Sequence, residues 1–588
     1  MTSTDIFAEL RARTVAALQD LLPELPAEAF AKVQMEPPRD PAHGDMATNA
    51  ALVVAKPARQ PPPKLAAALA ERLAALPEVE SAAPAGPGFV NLRLREGFLR
   101  AQLPMILEAG EGYGDSAIGA RRRVDVEYVS ANPTGPMHVG HCRGAVVGDA
   151  LANLLAKAGW EVTKEYYIND AGAQVQALAW ATYWRYLQAL GTVLTEEEYA
   201  ANTPGGLQYR GEYLIPVGEA LKARYGDALA PGALPADPAL WLDTVRPFAV
   251  DAMMAEIRQD LAALGVRHDV FVSEAELVRA GVADRAIATL AERGLVYEGV
   301  LEPPKGKVPD DWEPRPQTLF ASTRFGDDVD RPLRKSDGSN TYFANDIGNH
   351  ADKLARGFDE LVHVWGADHG GYVKRMQAAV AALSAGQPVP LDVVLAQIVK
   401  VMKGGEPVRM SKRAGTYVTL ADLIEEVGRD AVRFTMLTRK ADAQMEFDLD
   451  KVVEQSRENP VFYVQYAHAR CRSVLRSAED PADLADAPLD SLTDPAELAL
   501  IRRLCAWPRT VEAAALAREP HRIAFFLHDL AGDFHVLWNR GREDTTLRFI
   551  RGDEPEATRA RLALVAATAT VIRSGLHVMG VTPVEEMR

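Results

Sequence analysis

Cysteine is nearly missing: Cys142, Cys471 and Cys505 are the only three in 588 residues. They lie far apart and form no C-x-x-C pair. That excludes a disulfide framework and a cysteine-based zinc site, and it fits a reducing cytoplasm. Long apolar runs are also lacking. The nearest approach to the roughly 18 residues a membrane span needs is Leu562 to Ile572, which is short and carries Thr568 and Thr570. The N-terminal MTSTDIFAELRART lacks the charged-then-apolar order of a signal peptide, so a cytoplasmic chain with no membrane partner is expected. Net positive charge is absent as well, with 81 acidic against 65 basic side chains and a formal charge of −16. A protein held to nucleic acid by bulk charge would be basic. Any nucleic-acid partner must therefore be met by local basic patches, not by the whole surface, and no DNA partner is expected. There is no internal repeat or low-complexity tract. What remains is 48% hydrophobic and 25% charged, enough to bury cores, and at roughly 100–200 residues per domain the length implies three to five domains.

Residues 1 to about 115 read as a small α/β module. Asp5 can cap a helix through Phe7, Leu10, Val15 and Leu18. Ala42-His43-Gly44-Asp45 is turn chemistry before a second helix, Pro61-Pro62-Pro63 precedes a third at Leu65 to Leu76, and Phe89 to Leu94 alternates as a strand. From Arg121 the texture changes. Val124, Val126 and Tyr128 alternate with Asp125, Glu127 and Val129 in a strand, and a helix follows from about Gly140 to Gly159. Glu161 to Ile168 is the next strand. Strand, helix, strand over about fifty residues is a βαβ unit opening a doubly wound parallel sheet of Rossmann type. Residues 116–455 form this domain, with a mostly helical insertion at about 180–310. Further strands are expected at Gln317 to Thr323, Asn340 to Ala344 and Leu361 to Trp365. Residues 456–588 read as an all-helical domain.

The sharpest chemical signal is Pro136-Met137-His138-Val139-Gly140-His141, at a strand-to-helix turn where free amides and the helix dipole favour anions. Two imidazoles three residues apart can both face a polyphosphate, and the glycine between them lets a flat base or ribose reach the backbone. With 12 His and 43 Gly in the chain, chance supplies about 0.02 such tetrads. The bland alternative is a capping turn with solvated histidines. The second signal runs from Lys400 through Lys403-Gly404-Gly405 to Arg409-Met410-Ser411-Lys412-Arg413. Cations interleaved with glycine can close on phosphate, as nucleotidyl transfer requires when charge builds on pyrophosphate. A solvated basic hairpin is the alternative here. No cluster of Asp, Glu, His or Cys has metal-ligand spacing, so no structural metal is expected.

Together these stretches resemble the "HIGH" and "KMSKS" signatures of class I aminoacyl-tRNA synthetases. His138-Val139-Gly140-His141 has Val for Ile. Arg409 to Arg413 has Arg for the first Lys and for the last Ser, roles that Lys400 or Lys403 can share. Longer stretches are similar to the arginyl-tRNA synthetase family: Glu127 to Pro136 (EYVSANPTGP), Tyr166 to Gly172 (YYINDAG), Thr341 to Gly348 (TYFANDIG) and Val364 to Tyr372 (VWGADHGGY). The His43-Gly44-Asp45 and Gly86-Pro87-Gly88-Phe89 segments resemble that family's N-terminal domain, and Asn459 to Ala467 its anticodon-binding bundle.

The resemblance implies two reactions: arginine and ATP give arginyl-adenylate and diphosphate, and the arginyl group then passes to tRNA(Arg). Its partners would be L-arginine, ATP arriving with Mg2+, and tRNA, met by a monomer. His138, His141 and Lys412 would be catalytic. Pro136, Gly140, Lys403, Met410 and Ser411 would join them in holding ATP. Asp346 would pair with the substrate guanidinium with Tyr342 packed or hydrogen-bonded beside it, and Glu127, Asn132 and His369 would be further arginine contacts. Read without the family, Asp346 is a helix N-cap and Glu127 an outward-facing strand residue. Arg457, Tyr463 and Arg470 would meet tRNA, arginine with aromatics suiting splayed bases; Phe462 and Tyr466, four apart, also read as core. Other readings are a class I synthetase for another amino acid, a non-catalytic tRNA-binding paralogue and a small-molecule nucleotidyltransferase.

Overall fold

The structure, a computed structural model, describes residues 5–38, 40–232, 234–301, 315–408, 418–478 and 483–587. The chain divides into two compact units. One comprises Ala120–Ala156 and Trp160–Val453; the other comprises Met1–Gly119, Lys157–Gly159 and Glu454–Arg588. The N-terminal module and the helical tail, expected as separate domains, thus belong to one unit.

The first of these units is built on a five-stranded sheet. Its strands are β1 (Arg123–Glu127), β2 (Glu161–Ile168), β3 (Val270–Ser273), β4 (Glu360–Gly366) and β5 (Leu391–Ala396), in the order β5-β4-β1-β2-β3. All neighbours are parallel. Connections leave β1 toward β2 on one side and reach β4 on the other, so the carboxyl end of β1 is the switch point where doubly wound sheets bind ligands. Val124 and Val126 are fully buried, yet Asp125 is too and Glu127 is only 6% exposed. Alternation here does not mean one wet face, because a parallel sheet is covered on both sides.

Helix α1 (Val139–Lys157) follows β1. It lies so close to the end of the strand that a Cβ on Gly148 would sit 2.3 Å from Cγ of Tyr128. Alanine there gains about 1 kcal/mol of helix propensity, but overpacking costs about 1–3 kcal/mol, and a ring carbon beside the backbone cannot swing away. Gly148→Ala is therefore expected to lower the first thermal unfolding transition by several degrees, read by calorimetry.

Helices α2 (Ala173–Leu190) and α3 (Leu242–Ala263) carry the insertion. Its core is aromatic, with Trp180, Tyr183, Tyr186, Tyr199 and Trp241 buried together. The expected insertion of about 180–310 is interrupted by β3, a four-residue strand too short for its periodicity to show. Asn340 to Ala344, expected as a strand, opens helix α4 (Tyr342–Ala355) instead. The Thr341 hydroxyl accepts from the Ala344 amide and starts the helix there.

The other unit holds a four-stranded antiparallel sheet in the order Met35–Glu36, Met46–Thr48, Phe89–Leu94, Val79–Ala85. Asp5 caps the first helix, accepting from the Phe7 and Ala8 amides. Asp45 accepts from the Leu94 amide and pairs with Arg502. The tail contributes the helices Pro460–Ser477, Pro495–Cys505, Trp507–Ala517, His521–Glu543 and Pro555–Val578. Glu497 and Arg561 pair at 2.7 Å inside this bundle. Among the described residues, no helix is long and apolar enough to cross a membrane.

Candidate active site

The chain turns sharply as it leaves β1. Val129 and Ser130 adopt φ of 71° and 40°, a costly conformation for a β-branched residue. The turn aims the Ser130 hydroxyl at Glu127 Oε1, 3.0 Å away, and at the Tyr167 amide. His138 and His141 then stack with ring centroids 3.9 Å apart. The Gly140 amide donates to His138 Nδ1 at 3.0 Å, so the neutral ring carries its proton on Nε2. His138 also pairs with Thr419 in a β-bridge. The Val139 amide donates to Val418 O and the Leu420 amide to Met137 O. The chain leaving the basic loop is thus fastened to the His-x-Gly-His turn. Pro136 is half-buried beside it. Lys403 pairs with Glu426 on the surface. Met410, Ser411 and Lys412 lie outside the described residues.

Beyond the turn, carboxylates converge. Asp346 is not a helix cap, since Thr341 fills that place, and it sits half-buried on the second turn of α4. The Tyr372 hydroxyl donates to Asp346 Oδ2. Desolvation, reinforced by the nearby carboxylates of Glu274 and Glu127 and opposed by the Tyr372 bond and by Arg375, pushes the Asp346 carboxyl up to about 7. Burial also lifts the Tyr167 phenol far above its ordinary value, helped by Glu274, Asp346, Glu127 and Asp170 around it. Glu274 itself is raised by burial and by Asp170. Such surroundings disfavour ionisation of Asp346 and Glu274 until a cation joins them. A planar guanidinium, forked and permanently charged, fits it.

Other expected contacts stand further off. Tyr342 is 71% exposed and its ring meets the Lys335 ammonium; the phenol beside Asp346 is Tyr372. Asn132 is exposed at the rim and donates to Gln174 Oε1 at 2.7 Å. His369 is exposed, 3.5 Å from Asp368. Tyr372 and Glu274 were not among the expected contacts. Tyr372 ends the VWGADHGGY stretch, whereas Glu274 follows the unread strand β3 and gives no local signal.

In the helical tail, Arg457, Tyr463, Arg503 and His528 line an open cavity of about 550 Å³ with Glu458, Asp529 and Asp533. Arg470 is tied differently: it donates to Tyr466 Oη and lies over the rings of Tyr466 and Trp538. Phe462 and Tyr466 stack on each other.

A doubly wound sheet with a His-x-Gly-His turn at its switch point, carried with an all-helical tail, is the architecture of a class I aminoacyl-tRNA synthetase. Residues 8–94 match the arginyl tRNA synthetase N terminal domain, 102–190 the class I (R) tRNA synthetase catalytic domain, and 464–587 the DALR anticodon binding domain. An arginine–tRNA ligase of Gluconobacter oxydans is 62% identical over 597 residues, covering 100% of this chain and 99% of the relative. One from Cereibacter sphaeroides is 60% identical over 593 residues, covering 99% and 100%. The solved arginyl-tRNA synthetase of Thermus thermophilus superposes with a TM-score of 0.73 at 22% identity, over 99% of this chain and 100% of that one, which speaks for the fold. The chain belongs to the arginyl-tRNA synthetase family.

Proposed function

We propose that the chain ligates L-arginine to tRNA(Arg) at the expense of ATP. The arginine carboxylate attacks the α-phosphate, a new P–O bond forms and diphosphate leaves. A hydroxyl of the terminal tRNA adenosine, the 2′ in this class, then attacks the activated carbonyl and AMP leaves. The reading rests most heavily on the acidic pocket of Asp346, Glu274 and Glu127 at the switch point that also bears His138 and His141. No side chain acts as nucleophile, so catalysis is positioning plus charge stabilisation. The histidine Nε2–H groups donate to phosphate, Lys412 and Lys403 close on it with Met410 and Ser411, and Pro136 and Gly140 let the nucleotide reach the turn. Asp346 and Glu274 take the guanidinium, while Glu127, Asn132 and His369 serve the amino-acid end and Tyr342 closes the rim. Mg2+ comes with the ATP phosphates; among the described residues no group of three or more His, Cys, Asp or Glu converges on a metal position. Three functional domains, 1–115, 116–455 and 456–588, divide the work in a cytoplasmic monomer. Arg457 and Tyr463 stack on and neutralise tRNA at the tail cavity, with Arg470 held behind them by Tyr466.

The test is charging of total tRNA with each of the twenty amino acids, with ATP, magnesium and tRNA present throughout. Arginine alone on tRNA supports the reading. Another amino acid overturns the pocket, and tRNA binding without charging identifies a non-catalytic paralogue.

A pH dependence follows from Asp346. Its folded value of about 7 lies above the ordinary 3.8. Arginine needs the carboxylate, so it must displace a proton whenever the pH is below about 7. The KM for arginine is expected to fall as pH rises toward 7, by up to about tenfold per unit well below it, and to flatten above. Asp346→Asn should erase that slope. In the free protein the sign reverses: native Asp346 holds its proton more tightly than the unfolded chain does. That favours folding fully below about 3.8, and the contribution is lost as pH climbs through about 7.

A further inference from the structure

Beneath the arginine pocket, Glu127 joins a buried charge cluster whose other members the reaction as described does not use. The Lys353 ammonium on α4 is fully buried. It meets Asp125 at 2.6 Å, Glu127 at 3.0 Å and Glu165 on the neighbouring strand. Arg356 reaches the same Glu165 at 2.6 Å. Three carboxylates thus share two cations. Buried ion pairs are poor sources of stability, and apolar residues of like volume often serve better. Burial, against the pull of Lys353 and with the push of Glu165 and Glu127, raises the Asp125 carboxyl to about 7, so the cluster is costly to keep charged, which points to a use other than holding the fold.

The geometry says which use. Asp346, His350 and Lys353 fall on one face of α4 at helical spacing. Glu127 offers Oε1 to Ser130 at the pocket, while its Oε2 meets Lys353, with Asn349 at 3.4 Å and His363 at 3.9 Å. His350 and His363 stack beside it, and burial drives both to the neutral form. Among the described residues, Lys353 is therefore the cation that compensates Glu127. Burial alone would raise the Glu127 carboxyl; the ammonium above all, with His350 and the Ser130 hydrogen bond, outweighs it and keeps the group below its ordinary value. One helix carries both the guanidinium ligand and the counter-charge of the carboxylate at the other end of the substrate.

We propose that Lys353 is a positioning residue for amino-acid recognition: it fixes Glu127 as an oriented carboxylate across the pocket from Asp346, and so sets the affinity for arginine without touching it. This rests on the arginine-ligase reading and deepens it. The test is a double-mutant cycle of Glu127→Gln and Lys353→Met, read as separate KM values for arginine and ATP and as kcat in tRNA charging. Each single variant should raise the arginine KM about tenfold or more and leave the ATP KM within about twofold. The double variant should be no worse than Glu127→Gln by more than about twofold, because Lys353 acts through Glu127.

A further tenfold loss on adding Lys353→Met to Glu127→Gln would overturn the proposal. So would a fall in kcat with an unchanged arginine KM, or equal rises in both KM values. If Lys353→Met alone does not fold, the double variant, which removes the charges as a pair, is compared with Glu127→Gln and decides. If neither variant lacking Lys353 folds, its role is structural and the proposal fails. Failure of the parent reading is separate: the unsubstituted protein would then not charge arginine at all. A parent that charges arginine, with a normal arginine KM in Glu127→Gln, removes this proposal alone.

Discussion

Asp346→Asn is expected to lower kcat/KM for arginine by about two to three orders of magnitude while leaving the KM for ATP within a few-fold. Asparagine keeps the shape and loses the charge. The guanidinium would enter a desolvated site with its main counter-charge gone, and breaking such a buried pair costs about 3–5 kcal/mol at about 1.4 kcal/mol per tenfold. Glu274 remains, so some binding survives, and this keeps the loss from being total. Glu274 is itself raised by burial and by Asp170, however, and one of its oxygens accepts from Asn345 on α4 at 3.5 Å, so it is the weaker counter-charge. Steady-state charging with varied arginine at saturating ATP and tRNA measures the effect. A near-normal kcat/KM would remove Asp346 from the pocket and leave the acids around Tyr167 without a substrate-binding explanation.

How much of this could be seen in the sequence depends on how local each feature is. The His-x-Gly-His turn was legible because its chemistry lies within six residues and its flanks announce strand and helix. Helix α1 and strands β1 and β2 were legible for the same reason. Strand β3 was not: four residues between helices carry no period. With it went Glu274, whose place in the pocket is fixed by pairing β3 to β2 far away in sequence. Asn340 to Ala344 failed differently, because the Thr341 hydroxyl, not the apolar pattern of Phe343 and Ala344, decides where α4 begins. Asp125 merely alternated with the valines of the strand, and Glu127, read without the family, was an outward-facing strand residue. Their burial against Lys353 depends on α4 covering that face, which no window around β1 contains. Local rules thus found the phosphate end of the site. The amino-acid end, assembled from β1, β3, α4 and the turn after β4, came from motif resemblance or not at all.

The phosphate end yields the second large effect. His141→Ala is expected to lower kcat of charging by about 10²–10³ with the arginine KM within a few-fold. That is the cost of deleting one preorganised donor aimed at charge that develops in the transition state. His141 is the cleaner of the two positions to remove. His138 also accepts the Gly140 amide through Nδ1 at 3.0 Å, so truncating it loosens the turn as well as deleting a donor, whereas the His138 amide reaches His141 Nδ1 only at 3.5 Å. For that reason His138→Ala should cost kcat and also raise the ATP KM, whereas His141→Ala should act on kcat first. The rings stack 3.9 Å apart, so each orients the other, and the losses should not multiply: the double alanine variant should stand within about tenfold of the worse single one. Multiplicative losses would mean that the imidazoles act independently, on separate phosphates or in separate steps. A His141→Ala enzyme with unchanged kcat would reduce the pair to a capping turn and shift the phosphate chemistry onto the lysines of the basic loop.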